Sequence, residues 1–263
     1  MKTVMKSAVI LVAGIFCTPL SAQEKTRLQS NEMEHVLVSV PGSRTEAETA
    51  LPITLLSGDE LKNNIANTIG ETLSSKPGLA SASFGPSVGQ PVIRGQQGAR
   101  VNVLQNSMRS ADAASVSADH SVSVEPVLAE SIEVLRGPST LLYGGGAIGG
   151  VVNVIDKRIP IKVPEQVGGA LEIRHGSVND ESTAVFTLDT GTGDIALHLD
   201  ALTRDSNNVG IPGLAVHSDN HEEAHDDDHE GEEEHGEETT DGYIANTDSD
   251  TESLTLGLSY MLN

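Results

Sequence analysis

The chain of 263 residues carries 16 Lys and Arg against 38 Asp and Glu, a formal charge of −22. That balance excludes a nucleic-acid partner, because a polyanion is held by cationic side chains that neutralise phosphates, and it disfavours adsorption to anionic lipid. There is no Trp, and the aromatics after residue 22 are Phe84, Tyr143, Phe186, Tyr243 and Tyr260, too few to build the two aromatic girdles of a complete outer-membrane barrel.

Residues 1–22 read as a secretory signal peptide: Lys2 and Lys6 form the basic start, Ala8 to Phe16 the apolar run, and Ser21-Ala22 a small-residue cleavage site. The apolar run is shorter than the ~20 residues a spanning helix needs. Cys17, the single cysteine, leaves with the signal, so the mature chain offers no disulfide, thiolate metal site or cysteine nucleophile. Residues 23–47 form a polar segment interrupted by the alternating run Glu34, His35, Val36, Leu37, Val38, Ser39, Val40. Such a run suits strand addition to the open sheet edge of a partner, and equally the first strand of the domain that follows.

From residue 48 to 158 the pattern is that of a small α+β domain. LPITLL at 51–56 is a strand candidate, and Ser57-Gly58-Asp59-Glu60 has capping-box spacing, so a helix is expected from there. Leu61, Ile65, Ile69 and Leu73 recur at helical spacing; Asn67 or Thr68 is placed to cap a second helix, ended by Pro77-Gly78. PVIRG at 91–95, RVNVL at 100–104, SIEVLRG at 131–137 and GVVNVI at 150–155 alternate as strands, with a short helix opened by Glu125-Pro126. Gly144 to Gly146 and Gly149-Gly150 lack any complete phosphate-loop or dinucleotide fingerprint and read as tight turns and close packing.

Beyond residue 159 the period changes to long alternating strands at 167–176, 182–191, 194–204 and 252–262. Each has the length of a tilted membrane-spanning β-strand. Four strands cannot close, and an open sheet in lipid leaves backbone groups unpaired, so further strands are expected to follow. The fold class expected is therefore a small α+β domain followed by the first four antiparallel strands of an incomplete transmembrane β-barrel.

Several segments carry a family resemblance: HVLVSV at 35–40, LPITLLSGDEL at 51–61, PVIRGQQGARVNVL at 91–104 and above all IEVLRGPSTLLYGGGAIGGVVNVI at 132–155. Together they resemble the plug domain of TonB-dependent outer-membrane receptors, over roughly residues 34–158. The resemblance implies a plug seated in a barrel of about 22 strands, outer-membrane localisation, and a periplasmic TonB-type energy transducer that grasps the box at 34–40. It also implies that Arg136-Gly137-Pro138 and Tyr143-Gly144 serve plug architecture.

Residues 217–241 interleave His217, His221, His225, His229 and His235 with 13 acids and no Lys or Arg. Imidazole and carboxylate are the ligands of Zn2+ and similar divalent cations, and the negative field concentrates any of them; the same run also reads as a solvated acidic low-complexity loop, and its carboxylates alone equally suit Ca2+. Short turns of this class lie on the periplasmic side, which places the segment 205–251 outside. Ser117-Ala118-Asp119-His120, in a polar stretch between two plug strands, is similar to the zinc-uptake branch of the family, in which an Asp-His pair on a plug loop contributes to the metal site; Asp119 and His120 match. Imidazole ligands must be neutral, so capture is expected to weaken below about pH 6.

The chain is thus expected to be the N-terminal part of a receptor for energy-coupled uptake of zinc or a similar divalent metal, in contact with outer-membrane lipid and holding no resident cofactor. Two alternatives stand beside it: a receptor for a metal chelate, siderophore or haem, and a secreted metal-buffering protein. No nucleophile–base pair or carboxylate dyad emerges, so no enzymatic function is expected. His35, His175 and His198 are left without a role as metal ligands.

Overall fold

The computed structural model describes residues 52–110, 113–215 and 240–262. The signal at 1–22, the box at Glu34 to Val40, and His217, His221, His225, His229 and His235 lie outside the described residues.

The first region is built on a five-stranded sheet. Strand β1 (Ile53–Ser57) leads into helices α1 (Gly58–Asn64) and α2 (Ile69–Leu73); β2 (Leu79–Ser83) and β3 (Gly89–Ile93) form a separate hairpin; β4 (Val101–Gln105), β5 (Met108–Arg109), β6 (Ala129–Leu135) and β7 (Gly150–Asp156) follow. The sheet order is β1-β6-β7-β4-β5, with only β4 and β7 parallel. Val134, Ile132, Val152 and Val154 fill the centre beside Leu56 of β1, and Leu61, Ile69 and Leu73 from the helices close over them. The helical spacing read from the sequence therefore does define one buried face, split over two short helices.

Of the two helix starts, the first departs from expectation and the second follows it. Ser57 occupies the N-cap position of α1, but its hydroxyl makes no capping bond. Glu60 is drawn instead to the Lys76 ammonium, so the reciprocal arm of the capping box is spent on an ion pair. Thr68 does cap α2, accepting from the Glu71 amide at 3.2 Å, and is itself buried. Thr68→Ala is accordingly expected to cost about 1 kcal/mol and Ser57→Ala a few tenths at most, read as shifts in the urea unfolding midpoint of the chain in detergent micelles.

After the linker the described residues form six strands, the four expected and a further pair. β8 (Gly168–Gly176), β9 (Glu181–Thr192), β10 (Ile195–Ser206) and β13 (Ser249–Tyr260) make an open antiparallel sheet in the order β13-β10-β9-β8. β11 (Val209–Ala215) and β12 (Thr240–Ile244) form a hairpin inside what had read as one polar loop. Gly213, Pro212 and Gly242 had masked it, since such residues are poor strand formers.

Register explains how this sheet works as a wall. Leu254, Ala201, Phe186 and Leu171 lie in one cross-strand row, and Leu256, Leu199 and Leu188 in the next, all on one face. Leu254, Leu256, Leu258, Leu171 and Ile173 on that face are exposed, as an apolar outer surface in lipid would be. The alternate positions carry Asp189, His198, Asp200, Thr183 and Arg204, which are buried or partly buried beneath the first region. The period-2 alternation thus separates an apolar outside from a polar inside.

Candidate functional site

The segment between β5 and β6 rises from the plug sheet and carries Asp119 and His120. Val116 at its crest is 86% exposed, while Ala114 and Val124 at its ends are buried. His120 Nδ1 stands 3.6 Å from Asp119 Oδ1, with both side chains more than half exposed. Bond lengths of about 2.0–2.2 Å to N and O set a tetrahedral edge of roughly 3.3–3.4 Å, so the pair is close to the bite one metal ion requires. The Ser117 hydroxyl donates to Asp119 Oδ1, and with the Asp119 amide it holds that carboxyl below its ordinary value; desolvation opposes this slightly and His120 adds a small lowering. Since the folded-state value is depressed, the contribution of this carboxylate is present above its unfolded value and is lost as pH falls through the folded one. The site therefore offers an ionised oxygen at every physiological pH. Among the described residues no three His, Cys, Asp or Glu side chains gather into a metal-holding group, so this pair supplies two ligands and no more.

The loop is held from beneath by Gln90, a residue that no local motif singles out. Its buried carboxamide nitrogen donates to the carbonyls of Ala114 and Ser117 at 2.9 Å and of His120 at 3.3 Å. A small cavity of about 20 Å³, room for one water molecule, lies beside it between Val101, Val103 and Val122.

Further down, charged residues join the plug to the inner wall. Glu125 faces Arg204 of β10 with oxygen–nitrogen distances of 3.0 and 3.5 Å, and Asn67 donates to Glu181 at 2.6 Å. His198 lies between Asp189 at 2.7 Å and Asp200 at 2.9 Å, and Lys157 reaches Asp189 at 3.5 Å. His198 is thus structural, and its partners come from alternate positions of two neighbouring strands. The signal was present in the sequence as acids and a His on the polar phase of otherwise hydroxyl-rich strands, but a partner cannot be read from one strand alone. Between plug and wall, a cavity of about 360 Å³ is lined by Asn67, Thr68, Ser87, Ser121, Ser123, residues 249–253 and the Glu125–Arg204 pair itself.

Arg136 also proves architectural. Its guanidinium donates to Thr54 Oγ1 and to the Pro77 carbonyl, and burial, followed by the neighbouring Arg94 charge, pulls it below its ordinary value. The His- and acid-rich run at 217–241 lies in the connection between β11 and β12 and the first residues of β12, where Ala215 and Thr240 are register partners.

Residues 45–151 match the family model of the TonB-dependent Receptor Plug Domain. A hemin receptor of Yersinia pestis is 28% identical over 213 residues, covering 76% of this chain and 31% of that protein. A ferrioxamine B receptor of Salmonella typhimurium is 28% identical over 198 residues, 71% of this chain and 27% of that protein. Among solved structures, the ferric enterobactin receptor PfeA of Pseudomonas aeruginosa aligns with a TM-score of 0.51 at 20% identity, over 62% of this chain and 26% of that one. The ferric-catecholate import receptor Fiu of E. coli K12 aligns at 0.50 and 23% identity, over 64% and 23%. The chain spans about a third or less of the length of the curated relatives it matches. The structural likenesses establish the fold, a plug with barrel strands. The matches are to outer-membrane transport receptors and not to enzymes. The expectation of a zinc-uptake branch draws no support from them.

Proposed function

We propose that this chain is the plug and first barrel strands of a TonB-dependent outer-membrane receptor that takes up a metal in chelated form, in the class of haem and iron–siderophores. The observation that carries the reading is the plug sheet seated on the polar face of a wall whose other face is apolar, together with the likeness to a hemin receptor over three quarters of the chain. The wall crosses the membrane with its Leu254–Leu256–Leu258 phase toward lipid. The exposed loop bearing Asp119 and His120 meets the cargo, and the segment 34–40 pairs as an added strand with the periplasmic transducer, which supplies the energy.

A second reading, uptake of a bare divalent cation such as zinc, is favoured by one specific observation: the near-chelating 3.6 Å separation of His120 Nδ1 and Asp119 Oδ1. In that reading His217, His221, His225, His229 and His235 concentrate cations ahead of the plug. The two are separated by titrating the chain in detergent micelles with haem, ferrioxamine B and Zn2+, alone and in competition, beside Asp119→Ala/His120→Ala. A chelate receptor binds haem or ferrioxamine B, is undisturbed by Zn2+, and loses affinity on substitution. Binding of Zn2+ alone, abolished by the same substitutions, would overturn the chelate reading in favour of the second.

A further inference from the structure

Gln90 sits on β3, inside the plug, yet the three hydrogen-bond partners of its carboxamide nitrogen are backbone carbonyls of the exposed loop: Ala114, Ser117 and His120. The nitrogen end is fixed by its surroundings, because three carbonyl oxygens only accept and an amide oxygen there would repel all of them. Two N–H bonds serve three acceptors, so at least one is shared. The side chain is 2% exposed and cannot exchange these partners for bulk water without opening the loop. The His120 carbonyl is one of the three, so the backbone of the candidate ligand residue is held directly by the plug interior.

The other side of the same residue touches the helix region. A Cβ on Gly70 of α2 would fall 2.6 Å from the Gln90 carbonyl oxygen, a contact only glycine permits. Position 90 is therefore pressed between the loop above and α2 beside it, and α2 follows directly on β1 and α1 at the start of the plug.

We propose that Gln90 is the positioning residue of the cargo loop: its carboxamide sets the height and direction of Asp119 and His120, and through its contact with Gly70 it ties that loop to α2. This rests on the reading that Asp119 and His120 touch the cargo. A loop held at one buried point has few alternative arrangements, which lowers the ordering cost a ligand must meet.

The test uses the full chain in micelles with Gln90→Met, which keeps length and volume but removes both donors, and Gln90→Glu, which keeps shape and offers only acceptors. Hydrogen exchange over residues 113–123 is expected to accelerate at least tenfold in Gln90→Met and further in Gln90→Glu, while amides of β6 and β7 stay protected. Affinity for the two probes used, haem and Zn2+, should fall roughly tenfold in Gln90→Met for whichever one the parent chain binds. That loss should not add to the loss in Asp119→Ala/His120→Ala, a non-additivity that mere destabilisation would not produce. Unchanged exchange over 113–123 in both variants would overturn the proposal, as would fully additive affinity losses. If the parent binds neither probe but the exchange result holds, the loop anchor stands and the cargo reading of Asp119 and His120 fails; such a result sinks the cargo half of the proposal.

Discussion

Glu125→Ala is expected to destabilise the junction between plug and wall by about 3–5 kcal/mol, and Arg204→Ala by less, near the low end of that range. The asymmetry follows from where the two side chains lie. Arg204 is 5% exposed and its Nε already has no partner, so losing Glu125 strands a guanidinium in a place water barely reaches. Glu125 is 18% exposed and borders the hydroxyl-lined cavity of about 360 Å³, so water can take over part of the missing guanidinium's role. Replacing both at once, Glu125→Leu with Arg204→Met, removes the buried charge altogether and should recover most of the loss, since a buried pair is costly to break but cheap to replace. Urea unfolding of the four chains gives the comparison directly. Equal losses in the two single variants would mean that the cavity does not admit water to Glu125. In functional terms, this pair is the one buried two-point ion pair described between plug and β10, so a plug that shifts against the wall has to break it.

Much of the architecture was legible because period does not depend on partners. The 3.6 spacing of Leu61, Ile65, Ile69 and Leu73 gave the buried helical face, and period 2 in 182–191 and 194–204 gave the wall with its two unlike faces. Two things were not legible. One was competition: Ser57 and Glu60 have perfect capping-box spacing, but Lys76, sixteen residues on, offers Glu60 a charge. A local motif cannot report a distant rival. The other was Gln90, which sits in a strand with Pro91 and looks like any half-buried polar residue until the loop at 113–123 folds over it. Its role exists only in the tertiary structure. The proximity of Asp119 and His120 was legible for the opposite reason, since they are neighbours in sequence and their 3.6 Å separation follows from adjacency. The His run at 217–235 lies outside the described residues, and the family match spans residues 45–151.

Gly257→Ala is expected to be as damaging as any single methyl added to the chain, about 3 kcal/mol, although it lies in a strand where alanine is ordinarily harmless. Gly257 stands opposite His198 on the inner face of β13, and the linker that leaves the plug runs directly over it. A Cβ there would fall 1.9 Å from the Arg158 carbonyl oxygen, 2.9 Å from its carbon and 3.2 Å from Pro160 Cδ. Backbone cannot rotate away as a side-chain tip can, so the linker must lift. Lifting it takes Lys157 from Asp189, now 3.5 Å away, and disturbs the Arg158–Asp156 pair at 2.8 Å. Gly168→Ala supplies the control: it lies on an inner-face position of β8 with nothing within 4 Å of the added carbon, and should shift stability by no more than about 0.5 kcal/mol. If both substitutions prove equally mild, the linker is not seated on the wall as described. If Gly257→Ala alone is severe, the C-terminal end of the plug is fixed to the barrel by close backbone contact. In the proposed function, a pull through residues 34–40 would then reach the described plug at β1, which lies on the sheet edge beside β6, while the end at 156–160 stays in place.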